Sequence, residues 1–287
     1  MSDFAKAALT SRLVLDHPGW RVRVDSGVLR AFWSEDAVWV TNCNTVCSTF
    51  NSTTVIVHGT DSADAPAASC IVDWFDPASL PDIFQRTAEV RSCGRVHRLR
   101  NSDLWDALLP QVLRQRRRLV DANRMYRSLC HVHGERIETP QGTALLPPRP
   151  AMIAGLGDEA FHRVGLRYKA EALRTIAQAY VERGADWADM APSELCLALQ
   201  DVTGIGSWTA RMTVADLTND FSTLESVEFG KPGTWERFSA ASGGALTLQD
   251  FQEQWRSLTP AQLSTLAVLS IDWVSRNANG ASSLRAS

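Results

Sequence analysis

Two predicted helices joined by a Gly-Ile-Gly turn constrain this chain more than any other stretch of it. Before the turn, Leu195, Leu199 and Val202 recur at i, i+4 and i+7, the spacing of one apolar helical face. After the turn, Ser207 suits the N-cap of a second helix. Glycine allows the positive φ and the close backbone approach that a tight turn needs. The N–H groups at such a helix start can bind a phosphate, although an ordinary helix–helix connection explains the same glycines.

The residues on both sides of the turn belong to a longer motif. Val202 to Ala210 reads Val-Thr-Gly-Ile-Gly-Ser-Trp-Thr-Ala, and Val164 to Ala170 reads Val-Gly-Leu-Arg-Tyr-Lys-Ala. The first run resembles the helix-hairpin-helix signature of the HhH-GPD superfamily of DNA glycosylases, which includes alkylpurine and 8-oxoguanine glycosylases. Its alkylpurine branch usually reads Leu-Pro-Gly-Ile-Gly-x-Trp-Thr-Ala, so Thr203 replaces a proline. The second run is similar to the family's Leu-Gly-Leu-x-Tyr-Arg-Ala, and the resemblance covers residues 96 to 275.

The resemblance implies an α+β fold, in which a small N-terminal antiparallel β-sheet packs beside a mostly α-helical, two-lobed body with a DNA-binding cleft. Strand-period alternation from residue 20 to 59 predicts an antiparallel meander, and helical spacing begins after Ser102 and is stopped locally by Gly184. We therefore divide the chain into a β-rich N-terminal domain at 1–95, a helical glycosylase domain at 96–276 and a flexible tail at 277–287.

The hairpin of this family grips a DNA phosphate, and its backbone carbonyls can hold a monovalent cation. Carried onto this chain, the resemblance implies DNA contacts by six hairpin residues: Thr203, Gly204, Ile205, Gly206, Ser207 and Thr209.

A run of arginines precedes the first motif block. Leu113-Arg114-Gln115-Arg116 stands where the family usually has Leu-x-Gln-Gln, near residues that fill the gap left by an extruded base. The resemblance therefore implies that Gln115, Arg116, Arg117 and Arg118 contact DNA, at phosphates or as a wedge in the duplex. Taken alone, such a run is better explained as a solvated charged face.

Hydrolysis of an N-glycosidic bond requires a carboxylate that stabilises positive charge on the sugar or activates water. In the superfamily, one Asp after the second hairpin helix does this work. Here Ser226-Val227-Glu228 stands where relatives commonly have Pro-Val-Asp, so we predict Glu228 as the catalytic residue and Glu225 as the second candidate. Glu is one methylene longer than Asp, which changes its reach, and two solvated glutamates on a loop are the alternative. Asp216 falls on the helix and Asp220 comes too early.

Two aromatic residues are candidates for the base pocket. Bifunctional members of the superfamily carry a Lys at the position of Trp208, where it forms a Schiff base with the sugar. Tryptophan has no amine, so the resemblance implies a monofunctional enzyme that leaves an abasic site. The indole ring favours a cationic alkylated purine through cation–π attraction, although core packing also explains it. Tyr168 is either a wall of the pocket or, as aromatics more often are, a core residue.

Composition excludes several classes of protein. The net charge is −3 and the pI is about 6.1, so no overall basic field indicates nucleic-acid binding. The 6 cysteines form neither a zinc pattern nor the C-terminal cluster that holds iron–sulfur in some relatives, and the histidines lack ligand spacing. We expect reduced thiols, no metal and no other cofactor. No signal peptide or spanning apolar run stands out, which predicts a cytoplasmic monomer, nucleoid-associated if bacterial, without membrane contact.

Three hypotheses about function follow. The first is a monofunctional DNA glycosylase of base excision repair, whose partner is double-stranded DNA with a damaged or modified base. The second is a catalytically inactive helix-hairpin-helix protein that binds DNA without cutting it. The third is a specialised glycosylase for a bulky or antibiotic-derived adduct, in which the departures from the family pattern suit an unusual substrate.

Overall fold

The computed structural model describes residues 12–22, 27–34, 37–44, 54–58, 71–139, 142–224 and 247–283. Several predicted features lie outside these ranges. They are parts of the predicted meander, among them residues 45–53, and both catalytic candidates, Glu225 and Glu228.

Within the described residues, the strands form three sheets. The strands are β1 (Arg12–Leu13), β2 (Arg21–Val22), β3 (Gly27–Ser34), β4 (Ala37–Asn44), β5 (Thr54–His58), β6 (Val72–Phe75), β7 (Val96–Leu99), β8 (Arg136–Thr139) and β9 (Gly142–Leu145). The order β2-β3-β4-β5 is antiparallel throughout, which confirms the predicted meander. A second sheet has the order β1-β7-β6, with β1 parallel and β6 antiparallel to β7, and β8 pairs with β9. The boundary predicted after residue 95 therefore falls inside the second sheet.

The remaining described chain is mostly helical. The helices are α1 (Asp82–Gln85), α2 (Ala88–Cys93), α3 (Leu104–Arg114), α4 (Leu119–His133), α5 (Pro150–Gly155), α6 (Asp158–Arg163), α7 (Ala170–Ala188), α8 (Pro192–Gln200), α9 (Ser207–Thr218), α10 (Leu248–Ser257) and α11 (Pro260–Ser283). Short 3₁₀ turns lie at Pro77–Ser79 and Arg167–Lys169. No described helix has both the length and the apolar character needed to cross a membrane.

The helical body has two hydrophobic cores, and α9 contributes to both. One core packs α3, α4, α7 and α8 against α9, which adds Ala210 and Val214. The other packs the β1-β7-β6 sheet against α10 and α11, and α9 adds Ala215 on its opposite face. The body is thus mostly helical, as predicted, and its division into two lobes stays a prediction. The second core thus joins strands from before residue 95 to the last helices, and the division into domains stays a prediction.

Two helix ends differ from the predictions made from local signals. The sequence predicts that Gly184 stops its helix, but α7 continues through it to Ala188. Gly184 instead makes room, because a Cβ atom there would lie 2.8 Å from Cε1 of the Tyr180 ring. Residues 277–283, predicted as part of a flexible tail, continue α11.

Candidate nucleic-acid interface

The predicted hairpin joins α8 to α9, with its glycines in the turn. Gly204 has a φ of 98°, where an L side chain is strained, so glycine is needed there for its backbone conformation. Gly206, with extended backbone, is the N-cap of α9. Ser207 is the first residue of the helix, so its prediction as the N-cap was wrong. Gly206 has no side chain with which to cap the start of α9, and the first N–H groups of the helix therefore remain able to bind an anion.

The side chains of the hairpin divide into two sets. Val202 and Ile205 are buried in the first core and hold the turn against it. Thr203, Gly204, Gly206 and Ser207 are exposed. Because the buried pair fixes the turn on the protein, the exposed set presents its backbone to solvent. DNA contact by the exposed set stays a prediction.

Thr209 and Gln115, both predicted as DNA contacts, contact each other: Thr209 is buried and Gln115 is half-buried. DNA contact by either residue stays a prediction. Thr209 is 2% exposed. The Gln115 side-chain amide donates to the carbonyl of Gly204 and to the hydroxyl of Thr209, both at 2.9 Å. These two bonds join the end of α3 to the turn and to the first turn of α9. Gln115 therefore holds the hairpin in place.

A lysine that the sequence analysis did not select supports this joint. The Nζ atom of Lys169 donates to the carbonyl of Val112 at 2.8 Å and to Oε1 of Gln115 at 3.3 Å. Burial, with the charges of Arg117 and Arg116, lowers the pKa of Lys169. Lys169 stands where the second motif block of the family has Arg. This motif position is the sequence signal by which Lys169 could have been selected.

The arginine run begins directly after this joint. Arg116, with a φ of 56°, and Arg117 and Arg118 are exposed. Arg118 pairs with Asp121 at 2.9 Å. The guanidinium of Arg117 lies 4.2 Å from the centre of the Tyr168 ring. Gln115 contacts Gly204, and the three arginines follow it directly in the chain. Three positive charges therefore lie beside the exposed start of α9.

Tyr168 lies at this surface and is not in the core. Its side chain is 51% exposed, which contradicts the alternative that it is a core aromatic. Its hydroxyl contacts Sδ of Met125 at 3.2 Å. Trp208 is half-buried on α9, and i+4 and i+7 spacing places it in line with Met212 and Ala215, which belong to the second core. Trp208 therefore lies on the face of α9 that is directed at the second core, and its place in a base pocket stays a prediction.

Asp216, which the sequence analysis set aside as a catalytic candidate, belongs to a buried ionic cluster. Its carboxylate accepts hydrogen bonds from Arg98 and, at 3.0 Å, from Asn101. Arg98 also pairs with Asp16 at 2.9 Å and bonds Asn219. Burial alone would raise the pKa of Asp216, but the charge of Arg98 and its neighbours lowers it below the usual value. Through its pair with Arg98, Asp216 thus joins α9 to β7.

The described residues offer no metal centre. No group of three His, Cys, Asp or Glu side chains within them has the geometry to hold an ion. At the hairpin, the carbonyls of Val202 and Gly204 accept hydrogen bonds from Ile205 N–H and Gln115, and each carbonyl keeps a second lone pair. A monovalent cation on these carbonyls stays a prediction.

The fold is that of solved DNA glycosylases. The chain aligns with the Clostridium acetobutylicum 8-oxoguanine glycosylase/lyase, in complex with dsDNA containing cytosine opposite 8-oxoG, with a TM-score of 0.62 and 11% identity over 92% of this chain and 90% of that one. It aligns with the 3-methyladenine DNA-glycosylase from Archaeoglobus fulgidus with a TM-score of 0.62 and 16% identity over 95% and 94% of the two chains. No protein-family model and no curated protein matches the sequence.

These likenesses establish the fold over nearly the whole chain. They confirm the fold that the two motif blocks implied, and they include both an enzyme with lyase in its name and one without. At such low identity they do not assign a reaction to this chain.

Proposed function

We propose that this protein is a monofunctional DNA glycosylase, which extrudes a damaged or modified base from duplex DNA and hydrolyses its N-glycosidic bond. The observation that carries the proposal is the uncapped start of α9 beside three exposed arginines, in a fold shared with DNA glycosylases. Helix N-termini and arginines are the groups that bind DNA phosphates.

Each part of this surface has a task in the proposed reaction. The exposed backbone from Gly204 to Ser207 binds a phosphate of one strand. Arg116 and Arg117, with the exposed ring of Tyr168, lie where a displaced base leaves a gap, and a guanidinium–aromatic pair can stack in such a gap. Because Gln115 joins hairpin and arginines, the phosphate grip sets the position of this wedge.

The chemical step is assigned to Glu228, with Glu225 as the second candidate. A carboxylate beside the sugar stabilises the positive charge that develops as the bond breaks, or removes a proton from the attacking water. Trp208 has no amine to form a Schiff base, so the product is an abasic site and a free base. An indole near the base favours a cationic ring, which supports an alkylated purine as substrate.

An excision assay tests the proposal. The protein is incubated with methylated duplex DNA and with duplexes carrying uracil, hypoxanthine or 8-oxoguanine, and free base and strand breaks are scored with and without alkali. We expect free base, with breaks only after alkali. Breaks without alkali would contradict the monofunctional assignment.

Two matched variants test the catalytic residue. Glu228→Gln should abolish excision and leave DNA affinity unchanged, whereas Glu225→Gln should keep excision. The opposite pattern moves the role to Glu225. DNA binding without release of any base would support the binding protein, unless an enlarged panel with bulky adducts yields a product.

A further inference from the structure

A second site opens at one end of the first core. This end lies away from the hairpin. The site is a cavity of about 810 Å³, walled by the starts of α3, α5 and α8 and by the ends of α7 and α9. Leu104, the first residue of α3, lines this cavity. Gln115, which directly follows the last residue of α3, contacts the hairpin. At 1.5 Å per residue, α3 separates the two sites by roughly 16 Å.

The cavity also lies on the opposite face of α9 from Trp208. Val214 and Leu217 line it, while Met212 and Ala215, in line with Trp208, pack into the second core. It is therefore distinct from the surface assigned to DNA, and its proposed role does not rest on the glycosylase proposal.

Aromatic side chains form one wall of the cavity. The ring of Tyr180 packs edge-to-face against Trp105 and Trp187, with centroids 5.3 and 5.9 Å away. Glycine inside a helix costs up to about 1 kcal/mol relative to alanine. Gly184 nevertheless stands within α7 here, and its lack of a Cβ leaves room for the Tyr180 ring. Both residues line the cavity.

One carboxyl in the cavity has no cationic partner among the described residues. Asp103 is the N-cap of α3 and accepts a 2.6 Å hydrogen bond from the N–H of Asp106. The buried aspartates each pair with an arginine: Asp16, Asp106, Asp216 and Asp272. Asp103 is partly buried and forms no ion pair within the part of the chain that the structure describes.

The surroundings of Asp103 favour the protonated, neutral form of its carboxyl. Burial and the charge of Asp106 raise the pKa of Asp103 to about 7, against smaller opposing effects of the hydrogen bond from the Asp106 N–H and of the charge of Arg30. Arg149 lies at the rim, 4.0 Å from Glu135, and the Tyr180 phenol faces Asp103 from α7. A cation placed here would compensate the ionised carboxylate in surroundings of low polarity. An anion would gain nothing from the start of α3, because Asp103 already caps it.

We propose that this cavity binds a small organic cation, with its ammonium group at Asp103 and its apolar body against the half-buried Tyr180 and Leu217 and the exposed Val181. The volume is in the range of ligand pockets, about 300–1,000 Å³. Ammonium groups are attracted both by carboxylates and by the faces of aromatic rings.

Calorimetric titration of the full chain tests this site with 2-phenylethylamine, a cation at neutral pH, and with 2-phenylethanol, its neutral analogue. We expect the amine to bind at least about tenfold more tightly than the alcohol. Its affinity should rise as Asp103 ionises, from about pH 6 to about pH 8. No detectable binding of the amine, or equal affinity for the two compounds, would overturn the proposal.

Asp103→Asn separates the charge from the cap, because asparagine caps a helix as well as aspartate does. This variant should fold normally, bind the amine no better than the alcohol and lose the pH dependence. Asp189→Asn, an exposed carboxylate beside the cavity lining, is the matched control and should bind like the parent. Gly184→Ala should weaken the binding of both compounds, because the added Cβ displaces the Tyr180 ring. Unchanged amine affinity in Asp103→Asn would refute the role of the carboxylate.

Discussion

His17 donates a hydrogen bond to the backbone carbonyl of Asp106, at 3.1 Å, and this is the carbonyl that Pro110 leaves without a donor inside α3. The N–H of Gly19 donates to Nδ1 of the same ring at 3.1 Å, which assigns the proton to Nε2. Burial, with the charge of Arg30, lowers the pKa of His17 to about 4 and keeps the ring neutral. A residue from before the meander thus repairs a helix that proline would interrupt.

A double-mutant cycle tests this repair. His17→Ala should cost about 2–3 kcal/mol of unfolding free energy, because it leaves a buried carbonyl unpaired and removes packing. In a Pro110→Ala background the loss should be about 1 kcal/mol smaller, since the introduced alanine supplies the missing N–H. Urea unfolding followed by circular dichroism measures each free energy. Strictly additive losses would show that His17 does not replace the proline's donor.

Stability should fall as the pH drops from about 6.5 to about 4. Burial lowers the pKa of both His17 and His97 to about 4, so the unfolded chain binds protons in this window that the folded chain does not. Each histidine contributes roughly 1.4 kcal/mol per pH unit there. Asp103 opposes them: its raised pKa lets the folded chain keep a proton that the unfolded chain loses as the pH rises from about 3.8 to about 7.

Two variants separate these contributions by urea unfolding across the same pH range. His17→Gln keeps a donor for Asp106 and should flatten the acid loss, whereas Asp103→Asn should steepen it. Identical slopes in all three proteins would show that neither residue titrates as described.

Gln115 should act on DNA affinity through the hairpin. Gln115→Met keeps the size of the side chain but removes the bonds to Gly204 and Thr209, so we expect DNA binding to weaken about tenfold, or about 1.4 kcal/mol, through disorder at the joint. Fluorescence anisotropy with a labelled duplex measures this. Gln178→Met, on the exposed face of α7, is the control. Unchanged affinity would show that the joint is not needed.

The arginines should appear in the salt dependence of DNA binding. Replacing one phosphate-binding arginine lowers the slope of log K against log salt by about 0.9. We expect this for Arg116→Gln, and a smaller change for Arg118→Gln, because Asp121 already pairs with Arg118. Arg86→Gln, an exposed residue after α1, should leave the slope unchanged. Equal effects of all three would indicate only a change in net charge.

Asp216→Asn distinguishes a structural carboxylate from a catalytic one. Weakening the buried pair with Arg98 should cost about 3 kcal/mol of stability. Excision per folded molecule should persist, provided that the proposed reaction occurs. Loss of excision in a variant of unchanged stability would move the catalytic role to Asp216.

Local patterns were enough to predict much of this molecule. The alternation after residue 20 predicted the meander because a strand's side-chain period is 2. The glycines at 204 and 206 predicted the hairpin because glycine permits the positive φ that Gly204 adopts. Local signals failed where a distant contact overrides them. Gly184 did not end its helix, because Trp187, one turn further on, is buried in the first core and the absent Cβ accommodates Tyr180.

Only the tertiary structure decided what the polar residues do. Gln115 and Gly204 are 89 residues apart, and Arg98 and Asp216 are 118 apart, so no sequence spacing relates either pair. The sequence by itself determined the hairpin, the helical periodicity and the exposed charges, because each depends on neighbours within one or two turns. It did not determine that Gln115 serves the hairpin or that Asp103 lacks a cationic partner among the described residues, because a polar side chain's partner is set by which elements pack together.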